Sequence, residues 1–102
     1  VRNDRTSGSI CDASVTPAPG ELTFPIMQRL CGPGIAVPDE DCLRAMAAAF
    51  QRLKIVAEPG GAVALAAALW HAETVSGRAV IVVVSGGNVD GDLFCKAISR
   101  FA

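Results

Sequence analysis

The residues best placed to do chemistry are Ser85-Gly86-Gly87-Asn88, which follow the apolar run Ala79-Val80-Ile81-Val82-Val83-Val84. They offer one hydroxyl, one amide and backbone N–H groups that a ligand can approach, because two of the four residues carry no side chain. Ligands of open α/β sheets bind just outside the carboxyl ends of strands, and Ser85 holds that position if the run is a strand. Two readings stay open from these residues alone. They form either a ligand cradle or a strand-to-helix turn whose glycines serve only chain reversal. The sequence has no GxxxxGK[ST] and no GxGxxG after the run, so neither a P-loop nucleotide site nor a dinucleotide site is supported.

Glu58 is the second candidate. It precedes Pro59-Gly60-Gly61 and an alanine-rich apolar segment. A carboxylate at a helix start interacts favourably with the helix dipole by about 0.3–1 kcal/mol, which is one reading; the glycines beside it leave a pocket-lining role open. Its charge argues against phosphate at that helix start. The two lysines, Lys54 and Lys96, fall at a helix end and on a helix face. Solvated ammonium groups are expected there, with no setting that would lower a pKa for covalent work. His71 ends an apolar helix and reads as a C-terminal cap. Cys11, Cys31, Cys42 and Cys95 contain no CxxC and share the chain with one histidine, so no metal site is expected. They read as reduced thiols of a cytoplasmic protein, packed as small hydrophobes.

These groups need elements to position them. Six apolar residues without alternation predict a strand covered on both faces, as in a parallel sheet. Helices are expected over residues 22–31, 38–54, 62–71 and 92–101. In the second, Leu43, Met46, Ala47, Phe50 and Leu53 recur at spacings of three and four and predict one apolar face. The third is apolar nearly all round, and Pro59 is pre-organised for its first turn. Gly60 and Gly61 weaken that helix by about 1 kcal/mol each relative to alanine, which implies that something approaches the backbone closely. Thr16-Pro17-Ala18-Pro19-Gly20 is a stiff turn. Residues 10–15 fit a short helix or strand, and residues 35–37 a short strand or an extended entry.

With 102 residues, 51% of them hydrophobic, and a mean hydropathy of +0.41, the chain has the length of one small domain and more apolar surface than it can cover alone. That implies part of a larger subunit, or an oligomer such as a homodimer. The net charge of −1 and the scattered basic residues argue against a nucleic-acid surface. No apolar run approaches the roughly 20 residues that span a bilayer, so no membrane partner is expected. Residues 1–9 are polar, without an initiator methionine or a signal core, and read as a truncation point. Residues 10–102 form the remaining unit.

Three motifs in order carry a resemblance: Thr16-Pro17-Ala18-Pro19-Gly20-Glu21-Leu22-Thr23-Phe24-Pro25, Leu53-Lys54-Ile55-Val56-Ala57-Glu58-Pro59-Gly60-Gly61-Ala62 and Ser85-Gly86-Gly87-Asn88-Val89-Asp90. Together they resemble the C-terminal part of the threonine/serine dehydratase family, pyridoxal-phosphate (PLP) enzymes of the tryptophan-synthase-β fold type. The resemblance implies an α/β fold: the C-terminal fragment of the large domain of a fold-type-II PLP enzyme, with several helices around one or two parallel strands. It implies deamination of threonine or serine by β-elimination, giving a 2-oxo acid and ammonia, with a small amino acid as substrate. It assigns to Ser85 a hydrogen bond to the pyridine nitrogen, which a hydroxyl can make without imposing a charge on the ring. Gly86 and Gly87 would let the backbone approach the ring, Asn88 would fix the turn, and Glu58 would lie near the cofactor.

The Schiff-base lysine and the glycine-rich phosphate loop of that family belong upstream of this chain, so no catalytic residue is assigned within it. The isolated segment is expected to bind no cofactor and to be inactive. The alternatives are a serine racemase or an ectoine-catabolism dehydratase on the same scaffold, or a free-standing α/β binding module.

Overall fold

The computed structural model describes residues 2–5 and 7–102, with the side chain of residue 74 outside the description. Four α-helices follow one another: α1 (Thr23–Leu30), α2 (Asp39–Ala48), α3 (Pro59–Trp70) and α4 (Gly91–Phe101). Short 3-10 turns occupy Asp12–Ser14 and Ala72–Thr74, and a wide π-type turn, Ala49–Leu53, continues α2. So residues 10–15 contain a turn, while residues 35–37 carry no regular secondary structure.

Each helix has a local cause. Asp39, Glu40 and Asp41 fill the first turn of α2, where negative charge complements the exposed N–H groups. Pro59 opens α3 with its fixed φ. Lys54 ends the wide turn in the left-handed region, at φ 59°, and its ammonium donates to the Gln51 carbonyl at 3.0 Å. The π-type turn spends one more residue per turn than an α-helix, and this rotates the apolar stripe of α2. Leu43, Met46 and Ala47 are buried as the 3.6-residue period predicts. Beyond them Ala49 is covered, while Phe50 and Leu53 are exposed. Phe50 instead meets Phe94 of α4 edge-on, with ring centroids 5.4 Å apart.

The core lies where α2, α3 and α4 meet: Leu43, Ala45 and Met46, then Ala57, Ala62 and Ala66, then Ala97. Most of these are alanines, so helices approach closely but each contact removes little apolar area from water. Met46 and Cys42 are the largest fully buried side chains. A thin core gives a flat body of 40 × 36 × 19 Å with a radius of gyration of 14.4 Å, above the roughly 13 Å typical of 100 residues. His71 at the end of α3 and Asp41 of α2 are joined, Nε2 to Oδ2, at 2.6 Å. The Arg44 guanidinium lies 4.2 Å from the centre of the Trp70 ring. α1 buries no residue, and Leu22 before it is 87% exposed.

The expected α/β fold, helices around one or two parallel strands, is overturned: among the described residues there is no strand. Residues 79–85 carry no regular secondary structure, since a strand requires a ladder of hydrogen bonds with a neighbour. One contact of that kind is present, from the Glu58 N–H to the Gly86 carbonyl at 3.0 Å. Nor is the run covered on both faces. Val84 packs on the core, whereas Ile81 is 92% and Val83 67% exposed.

A candidate cofactor-edge site where two glycine segments cross

The segment through Glu58 and the one through Gly87 meet backbone to backbone. A side-chain carbon added at Gly61 would collide with the carbonyl oxygen of Gly86 and lie 2.9 Å from its nitrogen. One added at Gly86 would strike the Glu58 carboxylate, and one at Gly87 the Val56 carbonyl. Gly86 is therefore the close neighbour that Gly61 makes room for. Gly60 faces ordinary contacts instead, with Ser14 Oγ 3.5 Å and Ala13 Cβ 3.9 Å from an added carbon. The crossing is further held by the Glu58 N–H bond to Gly86.

Beside this crossing lies a crevice of about 180 Å³ bordered by Ile10, Asp12, Glu58, Asn88, Asp90 and Leu93. Glu58 is the N-cap of α3 by backbone position, yet its side chain makes no capping hydrogen bond. It is half-buried, with its carboxylate against Gly86. The turn after Gly87 is closed by the Val89 N–H donating to the Gly87 carbonyl at 3.0 Å. Ser85 and Asn88 are exposed. The structure thus gathers Glu58, Gly86, Gly87 and Asn88 around one crossing, with Ser85 immediately before it. Lys54, Lys96 and His71 are not among the crevice residues.

Asp90 closes the third motif of the sequence, where no role was assigned to it. Asp12 and Ile10 come from the far end of the chain, and no local pattern marks them. With Asp12, Glu58 and Asp90 on its walls, the crevice carries carboxylates where an anion would be repelled. Among the described residues no cluster of ligating side chains could hold a metal ion.

The residues fit one edge of a pyridine cofactor. Ser85 presents an exposed hydroxyl, and the glycines after it keep side chains out of the way. They do not fit a phosphate, given the acidic wall. Residues 1–87 match the family described as pyridoxal-phosphate dependent enzymes, and the chain belongs to that family. Among individual proteins it is 33% identical over 101 residues to the L-threonine ammonia-lyase of Thermotoga maritima, covering 97% of this chain and 25% of that protein. To the catabolic L-threonine dehydratase of Escherichia coli it is 33% identical over 92 residues, covering 88% of this chain and 28% of the relative. To a serine racemase of Oryza sativa it is 39% identical over 80 residues, 70% of this chain and 22% of the relative. The chain spans about a quarter of the length of these relatives.

Proposed function

We propose that this chain is the C-terminal part of a PLP-dependent threonine or serine dehydratase, an ammonia-lyase that converts the amino acid to a 2-oxo acid and ammonia. The observation that carries the reading is the seat of Ser85: an exposed hydroxyl directly before the crossing held by the Gly61–Gly86 contact. The cofactor, when bound, supplies an electron sink for the carbanion that forms as the α-proton leaves. Ser85 would face the ring nitrogen and donate a hydrogen bond without fixing a positive charge there. Gly86 and Gly87 would leave room for the ring, Asn88 would border the turn, and Glu58 would stand at the ring's flank. The lysine that carries the cofactor and the phosphate loop would come from the rest of the subunit. The uncovered side chains of Ile81 and Val83 leave apolar surface for the rest of the subunit, or a second copy, to cover. By the same reasoning the 102 residues alone neither hold the cofactor nor turn over substrate, and they self-associate, as a dimer.

The similarity to a serine racemase favours a second reading, in which the same proton removal is followed by return of a proton to the opposite face. Incubating the full-length enzyme with L-threonine and L-serine decides between them. The dehydratase reading expects 2-oxobutyrate and pyruvate, with ammonia in equal amount; D-serine without oxo acid would replace it with the racemase reading. Replacing Ser85 with alanine in that enzyme is expected to shift the cofactor absorbance band and lower the rate by 10-fold or more, on the order of 1.4 kcal/mol at the transition state.

A further inference from the structure

Cys11 and Cys42 stand apart from the crevice chemistry, and their sulfurs touch: the Cys11 thiol donates to Cys42 Sγ at 3.6 Å. Both are free thiols. They differ in access. Cys42, on α2, is wholly covered, whereas Cys11 keeps 7% of its surface exposed and lines an open groove with Ser9, Ser14 and Val37. The segment before Cys11 is clamped to the helix that carries Cys42. Asp39 in the first turn of α2 accepts hydrogen bonds from Ser9 Oγ at 2.7 Å and from the Ile10 N–H at 3.0 Å. On either side of Cys11, Ile10 and Asp12 form a wall of the crevice shared with Glu58 and Asn88. Any movement of Cys11 is therefore a movement of that wall.

We propose that Cys11 and Cys42 are an oxidative modification site, at which hydrogen peroxide forms a reversible disulfide that draws the Ile10–Asp12 wall of the crevice toward α2. The Cys11 thiolate attacks one peroxide oxygen, the O–O bond breaks, and the departing hydroxide takes a proton and leaves as water. Cys11 is then a sulfenic acid. Cys42 gives up its proton and attacks the Cys11 sulfur, the S–O bond breaks, and a second water leaves. Two thiols and one peroxide become one disulfide and two waters, with the sulfurs oxidised and the peroxide reduced.

The order of events follows from the surroundings. Burial first, then Cys11 and the Asp39 and Asp41 carboxylates, push the Cys42 thiol up to about 12, so Cys11 is the sulfur that meets the oxidant. To bond, the sulfurs close from 3.6 Å to about 2.05 Å. The exposed turn Asp12–Ser14 yields more readily than α2, whose side chains form the core. Cys31 and Cys95 are exposed and have no sulfur within bonding reach among the described residues. Their oxidation would be independent of the pair.

The test treats the protein with a small molar excess of hydrogen peroxide, alkylates remaining thiols in denaturant and digests with trypsin without reductant. Trypsin cuts after Arg5, Arg29 and Arg44, so the expected product joins residues 6–29 to residues 30–44, and fragmentation separates Cys42 from Cys31. Its mass is about 2 Da below the sum of the two peptides, and dithiothreitol releases both. Amide hydrogen exchange over residues 86–90 should change on oxidation and return with reductant, and Cys11→Ala should remove both the linked peptide and the exchange change. The proposal is overturned if Cys11 and Cys42 remain fully alkylatable while Cys31 and Cys95 oxidise. It is equally overturned if Cys11 advances to the sulfinic acid with no linked peptide. A linked peptide with unaltered exchange at residues 86–90 overturns the coupling to the crevice. Neither readout uses PLP, so the outcome is independent of the assigned activity.

Discussion

Two adjacent glycines at the start of α3 should respond to alanine with opposite signs. At Gly60 an added methyl finds ordinary contacts, Ser14 Oγ at 3.5 Å and Ala13 Cβ at 3.9 Å. What remains is the helix preference for alanine, so Gly60→Ala should stabilise by about 0.5–1 kcal/mol. At Gly61 the same preference is opposed by a collision with the Gly86 backbone, 2.9 Å from its nitrogen and closer to its oxygen. Backbone atoms cannot rotate away as a side-chain tip can, so the two segments must separate. Overpacking of that kind costs about 1–3 kcal/mol, and losing the bond from Glu58 N–H to Gly86 adds about 1 kcal/mol. After subtracting the helix gain, Gly61→Ala should destabilise by roughly 1–3 kcal/mol. Urea unfolding followed by the single tryptophan, Trp70, and by far-UV circular dichroism measures both variants against the parent at a common m-value. The reasoning is refuted if Gly61→Ala is as stable as Gly60→Ala, because the crossing would then not be tight.

Met46 is the largest fully buried side chain of a core made mostly of alanine. Met46→Ala should cost about 2–5 kcal/mol, enough to abolish the cooperative thermal transition of so thin a core; a shift within error would contradict the packing. Replacing Asp41 by Asn, His71 by Ala, and both together should yield a coupling of about 0.5–1 kcal/mol at neutral pH, read from the double-mutant cycle, with zero coupling counting against the 2.6 Å pair. The folded state holds the Cys42 proton more tightly than the unfolded chain does, with the thiol raised from 9.0 to about 12. Its contribution is therefore complete below pH 9 and lost as pH rises from 9 towards 12, falling by up to about 1.4 kcal/mol per unit. Comparing that alkaline slope with Cys42→Ala checks it, since equal slopes would remove the thiol as its cause. Finally, Ile81→Lys should change monomer stability by under about 0.5 kcal/mol, because the side chain is already exposed, while lowering self-association seen by light scattering.

Helix positions were legible because their signals are local: three acids at the start of α2 and a proline opening α3. The stripe of α2 was legible only as far as Ala47. The wide turn after it changes the residues per turn, and nothing in the composition of residues 49–53 announces that, so Phe50 and Leu53 face outward against expectation. The apolar run 79–84 was read as doubly covered because β-branched residues without alternation usually are. Whether a strand forms depends on a hydrogen-bonding neighbour, and a neighbour is a property of the assembly rather than of the run. Gly61 carried a usable hint, since a glycine inside a helix start asks for a close neighbour, and Gly86 is that neighbour. Asp12, the Cys11–Cys42 contact and the His71–Asp41 pair were invisible because each joins residues far apart in the chain.

The crossing at Gly61 and Gly86 also separates two kinds of inheritance. The place of residue 85 is set by main-chain atoms on both sides of the contact, and main-chain atoms survive almost any exchange of side chain. What residue 85 donates is set by its side chain alone. If Ser85 takes the proposed ring contact, a lineage could change the electronic character of that contact, from a neutral hydroxyl to an acid, without relocating it. The converse exchange, a methyl at Gly61 or Gly86, would keep the chemistry and lose its address. In such a design the glycines should be the slower to vary, and residue 85 the freer.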